Sequence, residues 1–448
     1  MNLLWRILYR SYRIGSGLRY WVQRRFTPAG VGVLVAFVIA TVMGPDSENN
    51  VAYQAFALLL LLLVLAAAFS LSFRARFSAY RALPRFGTVG TPLRYRVFVK
   101  NLGQRPQRSL TLLEKLADPR PSFQEWRAAK LAYERRVRSF RVSNRPRVGS
   151  FRIAHVEEAL VPPLLPGEEG EAHAELVPLR RGVLRFEGLT IARTDPFGLY
   201  RAFAKVQIPQ TALILPRRYP LPPIALPGTM KYQAGGISLA SNVGRSEEFV
   251  ALRDYRHGDP LRHIHWRSWA KAGKPVVREF EDEFFVRHAL VLDTFTDHPQ
   301  SEIFEEAVSV AASFACSVRT QESLLDLLFV GPDSYCFTSG RGLARSEQML
   351  EVLASVRPCW DTPFGELENL VMEHVQSVSG CICVLLDWDK SRRDFVKKLR
   401  TIGMPVLVLV IVPPGEKEKP QPGPMADDPG QFHVLEMGNL EACLARLK

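Results

Sequence analysis

The densest run of chemically capable side chains is Arg253-Asp-Tyr-Arg-His-Gly-Asp-Pro-Leu-Arg-His-Ile-His-Trp266. Its acids and bases, Arg253, Asp254, Arg256, Asp259 and Arg262, alternate around the large apolar residues Tyr255, Ile264 and Trp266. Guanidinium forks pair bidentately with carboxylates, and an uncompensated buried charge is costly, so the alternation suits a partly buried ionic clasp between domains. Two other chemistries stay open. Arg253, Asp254, Tyr255, Gly258, Asp259, Arg262, Ile264 and Trp266 would equally form a partner-binding surface. His257, His263 and His265 with Asp259 would hold a metal if neutral imidazoles converged, although no third ligand is obvious beside the shared face of His263 and His265. Water activated by a metal among Asp254, Asp259, His257 and His263 would make the chain a metal-dependent hydrolase, but nothing fixes a nucleophile or a substrate. The sequence has no Gly-Lys-Ser/Thr phosphate loop, Gly-x-Ser-x-Gly elbow or His-Glu-x-x-His, so no catalytic residue is assigned and a non-enzyme is expected.

Three kinds of element must position these residues. From Phe285 the pattern alternates strands (His288–Leu292, Leu324–Val330, Cys381–Leu386, Pro405–Val412) with helices (Glu302–Thr320, Ala344–Val356, Glu366–Ser377, Ser391–Ile402, Leu440–Leu447). Apolar strands between amphipathic helices imply a mostly parallel sheet covered on both faces, with ligands beyond the carboxyl ends of the strands. Asp293 falls there, directly after the first strand. Cys381 and Cys383 share one face of a buried strand and are read as small packing groups.

Upstream, 74–220 reads as a β-sandwich-like domain. Leu93–Asn101 and Leu110–Leu116 are its clearest strands, with Ala172–Val177, Val183–Phe186, Leu189–Arg193 and Phe203–Ile208 following and a turn at Asp195-Pro-Phe-Gly198. A basic amphipathic helix is inserted at 122–141, opened by a capping box of Ser122 and Glu125, and would either pack on its own sheet or lie on anionic lipid.

Before that domain stand two apolar runs, Ala29–Met43 and Val51–Phe73, joined by Gly-Pro-Asp-Ser-Glu-Asn-Asn. A bilayer core needs about 20 helical residues, so the second run spans comfortably and the first spans when counted from Phe26 to Gly44. The expectation is a two-helix transmembrane hairpin over 27–73 behind a basic cytoplasmic segment, 1–26. Residues 1–26 carry six arginines and no acid, 74–152 carry 20 Lys+Arg against four acids, and the connecting loop has Asp46 and Glu48 with no base. By the positive-inside rule both ends are cytoplasmic; a signal peptide is the competing reading of the first run.

Those two basic stretches hold +6 and +16, leaving −9 for the rest of a 448-residue chain whose total is +13. The high pI is therefore a property of the zone beside the apolar runs. A nucleic-acid role is the alternative use of that charge, but no recognition motif accompanies it. Hydrophobic residues at 47% and charged residues at 23% exclude a disordered, collagenous or polytopic chain. Six scattered cysteines form no disulfide framework and point to a reducing compartment.

The stretch Arg253 to Trp266, followed by Trp269-Ala-Lys271 and Val277-Arg-Glu-Phe280, resembles the signature of the DUF58 family of bacterial membrane-anchored proteins, which has no assigned activity. Arg180-Arg-Gly-Val-Leu-Arg-Phe and Asp195-Pro-Phe-Gly-Leu-Tyr200 fit it too, while Lys271 stands where the family usually has Arg. The resemblance runs from about residue 50 to 400 and implies a signature segment at 221–284 and a doubly wound α/β domain similar to von Willebrand factor A domains at 285–448. It further implies a divalent-cation site from an Asp-x-Ser-x-Ser turn, a later Thr and a later Asp. Here the turn is Asp293-Thr-Phe-Thr-Asp297, with Thr362 and Asp387 as counterparts; both serines are replaced, Phe295 offering no oxygen and Asp297 a carboxylate, which leaves a degenerate site that would give Mg²⁺ about three or four protein oxygens plus water. Family context implies a MoxR-type AAA+ ATPase and a transglutaminase-like membrane protein as partners. The expected function is a scaffold tethered to the bacterial inner membrane with its folded parts cytoplasmic, in a chaperone-like membrane assembly, with anionic lipid as a further contact and no specific nucleic acid.

Overall fold

The computed structural model describes residues 2–43, 51–118, 120–127, 130–131, 152–222, 249–257, 261, 264–280, 286–296, 301–317, 323–331, 334–339, 343–359, 362–415 and 420–447. Contacts divide the chain into two compact units: Met1–Arg218 with Thr296–Ala312 and Leu350–Trp360, and Tyr219–Phe295 with Ser313–Met349 and Asp361–Lys448.

The first unit opens with three helices, α1 (Asn2–Arg25), α2 (Pro28–Met43) and α3 (Val51–Leu71). The first of these was read only as a basic segment. It is amphipathic: Trp5, Tyr9 and Tyr12 recur at helical steps and pack on Trp126, with Trp5 and Trp126 edge-to-face at 6.0 Å and Tyr9 Oη donating to the Pro121 carbonyl at 2.8 Å. Of the expected basic helix, 123–127 and 130–131 are helical, opened by the reciprocal Ser122–Glu125 bonds of a capping box; 132–141 lies outside the described residues. Helices α2 and α3 pack on each other, with Phe37 and Phe56 stacked at 5.2 Å. Helix α3 is 21 residues long and apolar enough to cross a bilayer, whereas α2, with 16, reaches about 24 Å at 1.5 Å per residue.

Among the described residues nine strands follow: β1 (Phe77–Ala82), β2 (Phe86–Thr88), β3 (Leu93–Asn101), β4 (Leu110–Leu116), β5 (Ala154–Val156), β6 (Ala159–Val161), β7 (Glu169–Pro178), β8 (Gly182–Thr194) and β9 (Arg201–Leu215). They form a four-stranded sheet, β1-β3-β7-β5, and a five-stranded sheet, β2-β9-β8-β4-β6. Strand β3 shows why: Leu93, Tyr95, Val97 and Val99 are buried in one apolar core with Leu112, Leu176, Phe186, Ile191 and Ile214, while Arg94, Arg96 and Lys100 face out. The two strands expected at Val183–Phe186 and Leu189–Arg193 are one strand, β8, with a bulge between Phe186 and Gly188. A Cβ on Gly188 would stand 2.4 Å from the Val206 carbonyl oxygen, so the residue that looks like a strand break permits a close strand crossing.

A charged group is sealed inside this sandwich. Arg81 forks onto Glu114 (Nε–Oε1 3.1 Å, Nη2–Oε2 2.8 Å), Tyr95 Oη donates to Glu114 Oε1 at 2.9 Å, and Arg81 Nη1 donates to Gln210 Oε1 at 2.9 Å. Burial pushes the Glu114 carboxyl above the usual range, against the opposing pull of Arg81 and the hydrogen bonds from Arg81 and Tyr95.

The turn after β8 holds the foot of the helices. Asp195 accepts from the backbone N–H of Phe197 (3.0 Å), Leu199 (2.7 Å) and Tyr200 (2.6 Å). Thr27 donates through Oγ1 to the Gly198 carbonyl at 2.5 Å and through its N–H to that of Leu199 at 3.1 Å, and its Oγ1 receives the Gly30 N–H at 3.0 Å, capping α2. A Cβ on Gly30 would lie 2.0 Å from the Leu199 oxygen. Phe69 and Phe197 meet edge-to-face at 5.8 Å.

Among the described residues, the first strands of the second unit form a hairpin, β10 (Phe249–Asp254) and β11 (Val276–Phe280), enclosing helix α4 (Trp266–Ala272). Then come β12 (Val286–Leu292), α5 (Glu302–Ser317), which begins within the first unit, β13 (Ser323–Val330), β14 (Ser334–Ser339), α6 (Leu343–Ser355), α7 (Gly365–His374), β15 (Gly380–Leu385), α8 (Lys390–Thr401), β16 (Val406–Val412), β17 (Phe432–Glu436) and α9 (Leu440–Leu444). The sheet order is β14-β13-β12-β15-β16-β17, parallel except for β14. Every residue of β15 and β16 is buried, as a sheet covered on both faces requires. Cys381 and Cys383 lie in the core with Phe395, Leu399, Leu367 and Val408. The edge strands β14 and β17 were not anticipated, because neither carries the long apolar run of the central strands.

Candidate functional site

Chain order reverses in this sheet between β12 and β15, the switch point at which open α/β sheets bind ligands beyond the strand ends. Asp293 leaves β12 there and is fully buried. Its N–H donates to Val384 O at 3.0 Å, its Oδ1 accepts from the Phe295 N–H at 3.0 Å, and its Oδ2 accepts from the Leu386 N–H at 3.1 Å. The nearest cation is part of the chain: Arg392 Nε stands 2.6 Å from Asp293 Oδ2.

Arg392 comes from the first turn of α8. Asp389 caps that helix, accepting the Arg392 N–H at 3.0 Å and Nη1 at 3.1 Å, while Nη2 donates to Phe295 O at 3.3 Å and the guanidinium carbon lies 4.9 Å over the Phe364 ring. Burial works against the charge, but Coulombic attraction and hydrogen bonding from Asp293, reinforced by Asp389, hold the Arg392 pKa above the ordinary arginine value. Phe295 packs edge-to-face on Phe364 at 5.6 Å.

Of the other residues read as cation ligands, Asp387 is exposed and its Oδ1 accepts from the Trp388 N–H at 2.6 Å; Thr362 is half-buried; Asp297 lies outside the described residues. Thr294, whose hydroxyl was not singled out, is buried and donates to Val330 O at 2.5 Å. As placed, Asp293 Oδ2 receives both the Leu386 N–H and the Arg392 guanidinium, so a divalent cation at that oxygen would compete with Arg392, while Oδ1 receives the Phe295 N–H alone among the described residues. Among the described residues no group of three or more His, Cys, Asp or Glu converges on a common point.

The described part of the signature segment includes a strand end, a bridge and a helix start. Arg253 and Asp254 end β10 opposite Val277 and Val276, Ile264 is buried and bridges to Val277, and the His265 N–H donates to Val276 O at 2.9 Å. Asp254 pairs with Lys274 across the hairpin at 2.6 Å, both groups exposed, and the Tyr255 N–H donates to Pro275 O at 3.0 Å. Gly258, Asp259, Arg262 and His263 lie outside the described residues. Trp266 opens α4 and stacks on Trp269 at 5.2 Å, yet it is 65% exposed, and Leu261 is 68% exposed. The segment is therefore an exposed aromatic step on a hairpin, held by backbone bonds.

The family model described as "Protein of unknown function DUF58" matches residues 251–442. A curated relative, the "Uncharacterized protein YeaD" of Bacillus subtilis (strain 168), is 27% identical over 184 residues, covering 40% of this chain and 44% of YeaD. The chain thus matches less than half the length of that relative. Among solved structures, the CARDB domain of the PF1109 protein from Pyrococcus furiosus is similar at 14% identity, 31% of this chain, 93% of that one and a TM-score of 0.17. The PapD-like domain 7 of human CEP192 is similar at 8% identity, 31% of this chain, 85% of that one and a TM-score of 0.17. Scores this low carry no argument about fold or function.

Proposed function

We propose that the protein is a membrane-tethered interaction protein, anchored by α2 and α3, that presents the β10–α4–β11 hairpin to a protein partner. One observation carries the tether. Of the 21 residues of α3 only Ala66 is buried, so a helix that is apolar but for Gln54 and Ser70 is left without a protein core to enter. A soluble core helix would bury most of one face, whereas an exposed all-round apolar helix is stable in hydrocarbon. The first run needs the stretch before Pro28 or after Met43 to complete a second crossing. By the positive-inside rule, the arginines at both outer ends support a cytoplasmic side for the folded units.

The docking reading rests on Trp266 and Leu261. Exposed aromatic residues on a backbone-braced hairpin are the kind that anchor protein interfaces. The family resemblance nominates a MoxR-type AAA+ ATPase as the partner, with a transglutaminase-like membrane protein in the same assembly. The test uses the full-length chain with a carboxyl-terminal tag expressed in a bacterium. It should stay in the membrane pellet after alkaline carbonate, resist protease added outside spheroplasts, and crosslink to an AAA+ ATPase in a manner lost in Trp266→Ser. Carbonate release refutes the tether, tag digestion refutes the orientation, and Trp266-independent crosslinking refutes the docking surface.

A further inference from the structure

Where α3 ends, the first unit forms a pocket of about 250 Å³, lined by Phe69, Ser70 and Ser72 of the helix end, Arg108 and Ser109 of the β3–β4 connection, and Arg193 of β8. Pockets that enclose drug-sized ligands run to roughly 300–1,000 Å³, so this one suits a smaller group. Its chemistry is basic and hydroxylic. Neither Arg108 nor Arg193 has an ion-pair partner among the described residues, and Arg193 is braced with its guanidinium carbon 4.5 Å over the Phe73 ring. The acid in the wall, Asp195, already receives three backbone N–H bonds from its own turn. Ser109 is, among the described residues, the non-glycine residue with positive φ, at 54°. L side chains adopt that conformation at a cost, and such strain collects at ligand sites.

Position narrows the ligand. Phe69 and Leu71, at the same helix end, are 46% and 78% exposed, so the apolar surface of α3 runs down to the mouth of the pocket. A helix C-terminus carries partial negative charge, which two arginines more than offset. Guanidinium pairs facing hydroxyls recognise phosphate oxygens. We infer that this pocket binds the phosphate of an anionic phospholipid whose acyl chains lie along α3, an inference that rests on the tether reading for its lipid source and on the pocket alone for its phosphate chemistry.

The test is native mass spectrometry and thermal unfolding of the full-length chain in detergent, titrated with phosphatidylglycerol, diacylglycerol or inorganic phosphate. Wild type should retain one phosphatidylglycerol and unfold at a higher temperature with it, diacylglycerol should do neither, and millimolar phosphate should not compete. Arg108→Gln/Arg193→Gln should lose at least tenfold in lipid affinity, whereas Arg74→Gln/Arg76→Gln, which removes the same charge outside the pocket, should lose less than threefold. Circular dichroism and the unfolding midpoint of lipid-free protein verify that both variants fold. Equal loss in both double variants, or retention by the pocket variant, overturns the site. Competition by inorganic phosphate overturns the lipid as its source. Carbonate extraction of the same strains reports the tether separately, so a released protein that still binds phosphate through Arg108 and Arg193 would sink the anchor and spare the pocket.

Discussion

Replacing Arg392 by alanine removes the cation from the switch point and leaves Asp293 buried. Breaking a buried ion pair costs about 3–5 kcal/mol because the remaining charge is uncompensated. The lower part of that range applies, since Asp293 keeps the N–H bonds from Phe295 and Leu386. Losing the guanidinium from the face of Phe364 adds about 0.5–1 kcal/mol. The total, about 4 kcal/mol, corresponds to a fall of roughly 8–16 °C in the midpoint of a unit of about 150–250 residues, at about 2–4 °C per kcal/mol. Lys398, paired with Glu368 on the surface of the same helix, is the internal control: Lys398→Ala should cost no more than about 1 kcal/mol. The assay is thermal unfolding of the full-length chain in detergent, with intrinsic tryptophan fluorescence and calorimetry compared. Arg392→Lys should recover less than half the loss, because an ammonium cannot reach Asp293, Asp389 and the Phe295 carbonyl together. Low-millimolar guanidinium should restore part of the stability of Arg392→Ala, and Mg²⁺ should leave wild type unmoved. A loss under about 1 kcal/mol, or a wild-type midpoint that climbs with Mg²⁺, would show that the guanidinium is not the cation of this site.

Three further outcomes follow from other parts of the structure. The Glu114 carboxyl has a native pKa raised above its unfolded value, so the folded chain holds the proton more tightly; its contribution is complete below the unfolded pKa and is lost as pH rises through the native one. The stability of wild type relative to Glu114→Gln should therefore decline as pH rises from the ordinary glutamate range near about 4.3 towards neutrality, and a growing advantage in chemical denaturation would contradict the sign. Gly30→Ala places a Cβ 2.0 Å from Leu199 O, so it should separate α2 from the Asp195–Tyr200 turn and expose that turn to limited proteolysis, with an unchanged digestion pattern counting against the clash. Trp126→Ala removes the ring on which Trp5, Tyr9 and Tyr12 pack and should cost about 3–5 kcal/mol, read as increased hydrogen exchange across α1; protection at the wild-type level would mean that α1 is held by other contacts.

What was legible in the sequence is what local physics decides. Leu93–Asn101 reads as a strand to the residue, because burying one face of a sheet forces apolar and charged side chains to alternate. The parallel α/β sheet was legible in β12, β13, β15 and β16 for the complementary reason, since strands covered on both faces are continuous apolar runs. The gap between Val183–Phe186 and Leu189–Arg193 is a bulge within one strand, where Gly188, lacking a side chain, permits the close approach of Val206. Helix α1 was hidden behind its arginines: its inner row of Trp5, Tyr9 and Tyr12 acquires meaning only when residues 123–127, more than a hundred positions later, supply Trp126.

The candidate site divides along the same line. Asp293 could be placed because a carboxylate directly after an apolar strand lies at the strand's carboxyl end wherever that strand sits. The local half of the Arg392 network was missed: the helix was expected from Ser391, and Asp389, three residues before Arg392, caps it. What joins the halves is the adjacency of β12 and β15, which brings residue 392 to residue 293 although α5, β13, β14, α6 and α7 intervene in the chain. The cation facing Asp293 is therefore fixed by sheet order. Once β15 pairs with β12, the first turn of α8 delivers a guanidinium to Asp293 Oδ2, and a cation entering at that oxygen would have to displace a charge-assisted hydrogen bond, the Arg392 bond to Asp389 and the stacking on Phe364.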